Sequence, residues 1–349
     1  MKLKLLTAAL GLTVAAVAAG GASAATLDDV KSRGALKCGV NTGLPGFASQ
    51  NDQGEWQGLD VDYCKAIAAA IFNDASKVQY TPLSAVQRFP ALQNGEIDVL
   101  ARNTTWTMDR DTALGLNFAG VNYYDGQGFM VKKDIGVNSA LQLSGATVCV
   151  QSGTTTELNL ADYFSANNMD YNPVVIEAQS DVNSAYDSGR CDVLTTDASG
   201  LYASRLEMGN PDENVVLPEI ISKEPLGPVV RQGDDQWFNL VKWVHFALLN
   251  AEEMGVTMDN VDQMVDEQTK AVDSGEGQNP NLSRLLGVGE NFGEKIGLEQ
   301  TWVVNIIKAV GNYGEIFERN IGTDTPLGIA RGQNALWTEG GLQYAPPIR

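Results

Sequence analysis

The sequence predicts an α/β chain folded as two similar parallel-sheet lobes joined by two crossings, and three observations carry that prediction. Short apolar runs alternate with helical patterns along most of the chain, the signature of sheets built from strand–helix–strand units. A ten-residue segment recurs at a constant offset of 94: Asn94-Gly-Glu-Ile-Asp-Val-Leu-Ala-Arg-Asn103 matches Ser188-Gly-Arg-Cys-Asp-Val-Leu-Thr-Thr-Asp197, with Gly, Asp, Val and Leu in register. The chain has 349 residues, beyond the size at which a single core usually keeps growing.

The first element is a leader. Lys2 and Lys4 precede an apolar run over 5–19, and Ala22-Ser23-Ala24 offers small residues for cleavage. The run falls short of the roughly 20 residues needed to span a bilayer. Residues 1–24 therefore read as a secretory signal peptide cleaved after Ala24. No Cys lies near that point to carry a lipid, and no later stretch looks long and apolar enough to cross a membrane. The mature protein is expected to be exported.

Strands are then expected at 36–41, 78–83, 98–103, 147–151, 173–177 and 192–197. Helices fall between them at 60–73, 86–94, 155–166 and 181–188. Each copy of the repeat reads as a helix end, a Gly stop and a buried strand that finishes on polar residues. Both copies stand third in a strand–helix series, hence two lobes of like build. Ligands of open α/β sheets sit beyond the carboxyl ends of strands, which directs attention to 102–110 and 195–197. One crossing is expected after a strand at 127–132 and the return near 225–231. Lobe 1 is then assembled from 25–132 and 228–349, lobe 2 from 133–227. Helices are expected at 238–253 and 300–318, with an exposed polar loop at 273–281. Trp237, Trp243, Phe246 and Trp302 read as packing residues, and His245 among them as a poor catalyst.

Charge narrows the function. Without Lys2 and Lys4 the chain keeps 22 basic against 43 acidic residues, a balance that opposes binding to nucleic acid or anionic lipid. Cys38, Cys64, Cys149 and Cys191 fit no zinc spacing and suit an oxidising compartment as two disulfides. Their pairing is open among three possibilities at this stage.

Three segments carry candidate chemistry. Asn103-Thr-Thr-Trp-Thr-Met-Asp-Arg110 follows a strand and precedes a short helix. Its hydroxyls and N–H groups suit an anion, and Arg110 adds a planar, permanently charged fork for a carboxylate; a salt bridge to Asp109 or Asp111 is the competing role. In Gln151-Ser-Gly-Thr-Thr-Thr-Glu157, Thr154 and Glu157 have capping-box spacing, which leaves Thr155 free to face a cleft. Asp197 ends a strand before a helix; it either caps that helix or presents a carboxylate to a cation. An arginine, hydroxyls and a carboxylate divided between two lobes suit the head group of a zwitterionic α-amino acid.

These residues resemble family 3 solute-binding proteins, the amino-acid receptors of ABC transporters, and most of all the general L-amino-acid-binding subgroup. The resemblance spans the mature chain. It rests on Gly58-Leu-Asp-Val-Asp-Tyr-Cys-Lys-Ala-Ile-Ala68, Phe89-Pro-Ala-Leu-Gln-Asn-Gly-Glu-Ile-Asp98, Gly153-Thr-Thr-Thr-Glu157, Arg102-Asn-Thr-Thr-Trp-Thr107 and the tail from Ala335 to Arg349. Tyr63 departs from the signature, where an aliphatic residue or Phe is usual. The resemblance implies a type II flytrap fold in the periplasm. It assigns Arg110, Thr105 and Thr155 to the ligand carboxylate, Asp197 to its ammonium, and Asn103 to backbone contacts. Where relatives for basic amino acids have aromatic walls, this chain has Leu44 and Ala85, which implies a roomier pocket and broad specificity. In such lobes the expected disulfides are Cys38–Cys64 and Cys149–Cys191, one in each. The implied partners are an L-amino acid and inner-membrane permease subunits, with the protein a monomer and no cofactor or metal. Dehydratases built on this scaffold are the enzymatic alternative, but they need a positioned acid or base, and no such residue stands out in the cleft motifs. A sensor that docks on a receptor kinase is a third role, compatible with transport.

Overall fold

The computed structural model describes residues 25–349; the leader expected at 1–24 lies outside them. Two five-stranded sheets form the two lobes, and their strand orders match position by position. In the first sheet the order is Val78–Leu83, Leu36–Asn41, Val99–Leu100, Val229–Arg231, Leu116–Phe118. In the second it is Asn172–Ile176, Thr147–Gln151, Val193–Asp197, Gln127–Lys132, Asn214–Val216.

The first three strands of each sheet are parallel, as expected. The fourth and fifth are joined through antiparallel pairs, so the sheets are mixed. The fourth strand arrives directly from the other lobe and needs no crossover helix, the element that parallel neighbours require.

That fourth strand corrects one expectation. Gln127–Lys132 pairs with Val193–Asp197 inside the second sheet, so the outward crossing precedes this strand rather than following it at 132. The crossing is Tyr123–Asp125, paired antiparallel with the return strand Glu224–Leu226. A run with five buried positions in six looks the same in either sheet; only its hydrogen-bond partner assigns it to a lobe.

The repeated segment does the same work twice. Gly95 and Gly189 adopt φ of 74° and 77° at the ends of their helices, where a left-handed residue costs glycine nothing. Asp98 Oδ2 accepts the Lys37 N–H at 2.8 Å, and Asp192 Oδ2 accepts the Thr147 N–H at 2.8 Å. Each Asp thus ties the start of the central strand, which it precedes, to the start of the neighbouring second strand. Disulfides join Cys38 to Cys64 and Cys149 to Cys191, one per lobe, the pairs expected.

The C-terminal helices pack against the helix Leu59–Phe72 and one another, and Asp235–Glu253 also touches the strand Val229–Arg231. Asp235–Glu253 begins at Asp234, whose carboxylate accepts the Trp237 N–H at 2.9 Å. The helix expected over 300–318 is two, Trp302–Val310 and Tyr313–Asn320. Gly311 turns the chain, and Asn312 with Glu315 forms a reciprocal capping box for the second helix. Both helices bury their apolar faces in one core, so the spacing runs on across the break. Trp237 is buried and donates its indole N–H to Asp98 O at 3.0 Å. His245 sits buried against Tyr63 and Phe246, and burial pushes its pKa down to about 4, so it packs as a neutral ring. The tail then folds back on the outward crossing: Asn334 exchanges two hydrogen bonds with the Tyr124 backbone, and Gln343 donates to Val121 O. Among the described residues no helix is long and apolar enough to cross a membrane.

Candidate functional site

A cleft lies between the lobes, at the carboxyl ends of the parallel strands. On the first lobe, Val99–Leu100 ends after two residues and the chain turns away. Asn103 takes up φ of 32°, unusual for a residue with a side chain. Two bonds hold it: its N–H donates to Asp60 Oδ2 at 2.8 Å, and its Oδ1 accepts from Asn41 Nδ2 at 2.9 Å. Burial raises the Asp60 carboxyl to about 6, against the N–H of Asn103 and the amide of Asn122. Maintaining that turn is the chemical role of the buried Asp in the Gly58-Leu-Asp60 motif.

Thr107 caps the short helix Met108–Thr112 through the Arg110 N–H, which fixes Arg110 in the first turn. Its guanidinium lies over the Phe89 ring and donates from Nη1 to Thr105 O at 2.9 Å. Among the described residues no ion pair joins Arg110 to Asp109 or Asp111, the competing partners. Arg110 is 7% exposed and sits behind Thr105 rather than bordering the open space. Burial lowers its pKa, while the carboxylates of Glu224 and Asp197 raise it.

On the second lobe, Thr154 caps Thr155–Ala166 by accepting the Glu157 N–H at 3.4 Å. Thr155 is free to reach inward. Its hydroxyl donates to Glu224 Oε2 at 2.9 Å and lies 3.3 Å from the hydroxyl of Thr105, so the two lobes meet at this pair. Gly153 makes the approach possible: its φ is 71°, and a Cβ there would stand 2.7 Å from Val86 Cγ1 on the opposite lobe.

Asp197 ends its strand at the N-cap position without capping the helix Ala198–Leu206. Asp125 of the outward crossing takes over, accepting the Ser199 hydroxyl and, at 3.4 Å, its N–H. The Asp197 carboxylate therefore borders the cleft as an acceptor available to a ligand. Its pKa stands well above the ordinary carboxylate range, first through burial and then through Asp125 and Glu224, with Arg88 and Arg110 pulling it back.

The structure thus brings Thr105, Asn103, Thr155, Asp197 and Leu44 to the cleft border, with Arg110 just behind. Ala85 is buried but does not border the open space; its neighbour Val86 contacts the second lobe instead.

Four residues that sequence reasoning passed over as site residues join them. Arg88 and Arg102 border the cleft, each 2% exposed. Asp125 and Glu224 face each other in register across the two crossing strands. Burial raises Asp125 to about 6, and Glu224 adds to the rise. Arg102 opened the segment 102–110 to which the strand ends directed attention, without a role of its own, and Glu224 stands one residue before the return crossing expected near 225–231. Nothing in the spacing of Arg88, Asp125 or Glu224 set them apart from surface charges.

The arrangement sets buried cations on one lobe against carboxylates on the other lobe and the crossings. It suits a small ligand carrying both an anionic and a cationic group.

The profile of bacterial extracellular solute-binding proteins, family 3, matches residues 36–259. The chain is 62% identical over 351 residues to the general L-amino acid-binding periplasmic protein of Rhizobium johnstonii, covering 100% of both chains. It is 55% identical over 338 residues to the glutamate/glutamine/aspartate/asparagine-binding protein of Rhodobacter capsulatus, with 97% of each covered. Among solved structures, the ABC transporter/periplasmic binding protein of Brucella ovis with glutathione bound shares 62% identity. It superposes with a TM-score of 0.89 over 93% of this chain and 100% of that one.

Proposed function

Because the chain belongs to the family 3 bacterial extracellular solute-binding proteins, we propose that its cleft captures L-amino acids in the periplasm and delivers them to an ABC transporter. One observation carries the reading: Asp197, buried and bonded to no cap, faces the Thr105–Thr155 hydroxyls and the arginines across the lobe boundary. The α-ammonium is assigned to Asp197. The α-carboxylate is assigned to Arg110, Thr105 and Thr155, with Asn103 supplying backbone contacts. A ligand held this way bridges the lobes, so binding and closure are one event. The protein is proposed to act as a monomer with the permease subunits of the inner membrane as its partner.

Most of the binding energy then comes from atoms common to every amino acid. Discrimination is left to the side-chain pocket around Leu44, where a missing methylene costs about 1–3 kcal/mol. Several polar and aliphatic L-amino acids are expected to bind within about two decades of one another, and D-enantiomers and decarboxylated amines far more weakly. Thermal-shift and calorimetric titration of all twenty amino acids, after stripping bound ligand, tests this. Absence of binding by any of them would sink the reading. A single ligand more than about a thousandfold tighter than the rest would replace a broad receptor by a dedicated one.

The glutathione in the Brucella ovis protein favours a second ligand class, γ-glutamyl peptides. Their glutamyl end keeps a free α-ammonium and α-carboxylate, so the same grip serves, and the peptide runs on along the cleft. The same titration with glutathione tests it.

A further inference from the structure

The head group of an amino acid carries one carboxylate, yet three buried arginines gather on the first-lobe side of the cleft. Arg110 already donates to Thr105 O and is the one assigned to that carboxylate. The other two have unused donors. Arg102 is anchored by a single bond, Nε to Leu83 O at 2.8 Å, and its buried Nη2 has no partner. Arg88 lies over the Phe89 ring and makes one long hydrogen bond, Nη1 to Thr104 Oγ1 at 3.4 Å, and its buried Nε has no partner. Among the described residues neither forms an ion pair. Asp60, the acid beside Arg102, already accepts from Asn103 and Asn122.

Unpaired buried guanidinium donors are costly, because water is lost and nothing replaces it. Burial accordingly lowers the pKa of Arg102 to about 10 and that of Arg88 well below its ordinary value; for Arg88 the neighbouring Arg102 and Arg110 add to the fall. Both side chains border the cleft beside Leu44, an apolar wall against which a ligand's methylenes can lie.

We propose that Arg102, backed by Arg88, forms a second anion subsite that takes a carboxylate on the ligand distal to its head group. This inference rests on the amino-acid reading of the cleft and refines it. The distal carboxylate is either the side chain of an acidic amino acid or the terminal carboxylate of a γ-glutamyl peptide. Dicarboxylic ligands gain the charge-assisted hydrogen bonds that neutral side chains lack. Cationic side chains meet two like charges and are disfavoured.

Calorimetry on ligand-stripped full-length mature protein tests this with L-glutamate, L-glutamine, L-lysine and glutathione, on the unmodified chain and on Arg102→Gln. The unmodified protein is expected to favour glutamate over glutamine by at least about tenfold and lysine least. Arg102→Gln is expected to lose about thirtyfold or more for glutamate while glutamine stays within about threefold. Glutamine binding by the variant also reports that it is folded. Dependence on Arg102 seen with glutathione alone supports the subsite and assigns it to the peptide carboxylate. Equal loss for glutamate and glutamine overturns the proposal, placing Arg102 in the head-group grip or the fold. Should the variant not fold, the unmodified protein decides through L-glutamate against its neutral 5-methyl ester, and equal affinity overturns the subsite. Failure of the unmodified protein to bind any of these ligands removes the amino-acid reading itself, a distinct result.

Discussion

The two lobes share a strand order and a repeated segment, and they differ in the charge they present at its end. At the common offset, Arg102 and Asn103 of the first lobe correspond to Thr196 and Asp197 of the second. The first copy leaves its strand after Leu100 and throws Asn103 into a left-handed turn, with Arg102 buried beneath it. The second remains paired with Gln127–Lys132 through to Asp197, so its last side chain is delivered by regular strand geometry. Equivalent ends of equivalent sheets thus carry opposite charge, and each charge is held at a cost. Burial lowers the pKa of the arginines and raises that of Asp197. A zwitterion between the lobes offers each side the partner its own lobe withholds.

The largest expected effect comes from removing one side of this opposition. Arg110→Ala and Asp197→Ala should each leave a ligand charge unpaired in a closed cleft. The cost is about 3–5 kcal/mol, or roughly two to three orders of magnitude in affinity, with the fold intact by circular dichroism. Calorimetry that found only a few-fold loss would mean the two ends are not opposed as argued.

Acidification tests the acidic side of this opposition, while Asp60 on the first lobe and Asp125 on the crossing, both raised to about 6, take up protons in the same range. The folded, unliganded protein holds Asp197 at a raised pKa, so its proton is taken up at a pH where ordinary carboxylates are still ionised. The ligand's ammonium needs the ionised form, and its binding pulls that pKa back down. Binding therefore releases a proton in this range, and affinity falls as pH falls, by at most about tenfold per unit below the raised pKa. Titration of alanine from pH 8 to 5, with the proton count read from two buffers of different ionisation enthalpy, should show the loss. A flat profile would detach Asp197 from the ammonium.

Gly153→Ala acts on the approach of the lobes rather than on either charge. Its Cβ meets Val86 across the cleft at an unfavourable φ, and backbone strain of this kind costs about 1–3 kcal/mol. Ligand affinity should fall by about tenfold, with small-angle scattering showing a more open liganded state.

The smallest effect separates the repeated acids. Asp98 is buried and also pairs with Arg33, whereas Asp192 is exposed. Asp98→Ala should therefore cost about 2–3 kcal/mol and Asp192→Ala about 1 kcal/mol. Equal losses in urea unfolding would show that the shared backbone bond, and not burial, sets their weight.

Legibility in the sequence followed locality. The strands Leu36–Asn41, Val78–Leu83 and Thr147–Gln151 and the helix Thr155–Ala166 are readable residue for residue, because periodicity and caps are written within a few neighbours. The break at Gly311-Asn312 was masked by apolar spacing that continues across it. Arg88 and Glu224 were not legible as site residues, since the sequence separates them widely and only closure of the two crossings brings their charges to one cleft.

By itself, then, the sequence determined the two α/β units, the repeated Gly and Asp that lead into the third strand of each one, and the residue types able to hold a zwitterion. Tertiary structure alone decided that Gln127–Lys132 joins the second lobe, that Asp125 rather than Asp197 caps the helix at Ala198, and that two arginines lie buried with donors unused. The physical reason is one of range. A strand's period or a cap depends on residues a few positions apart, whereas the partner of a buried charge is chosen among all groups that folding brings within reach, and desolvation makes that choice costly to change.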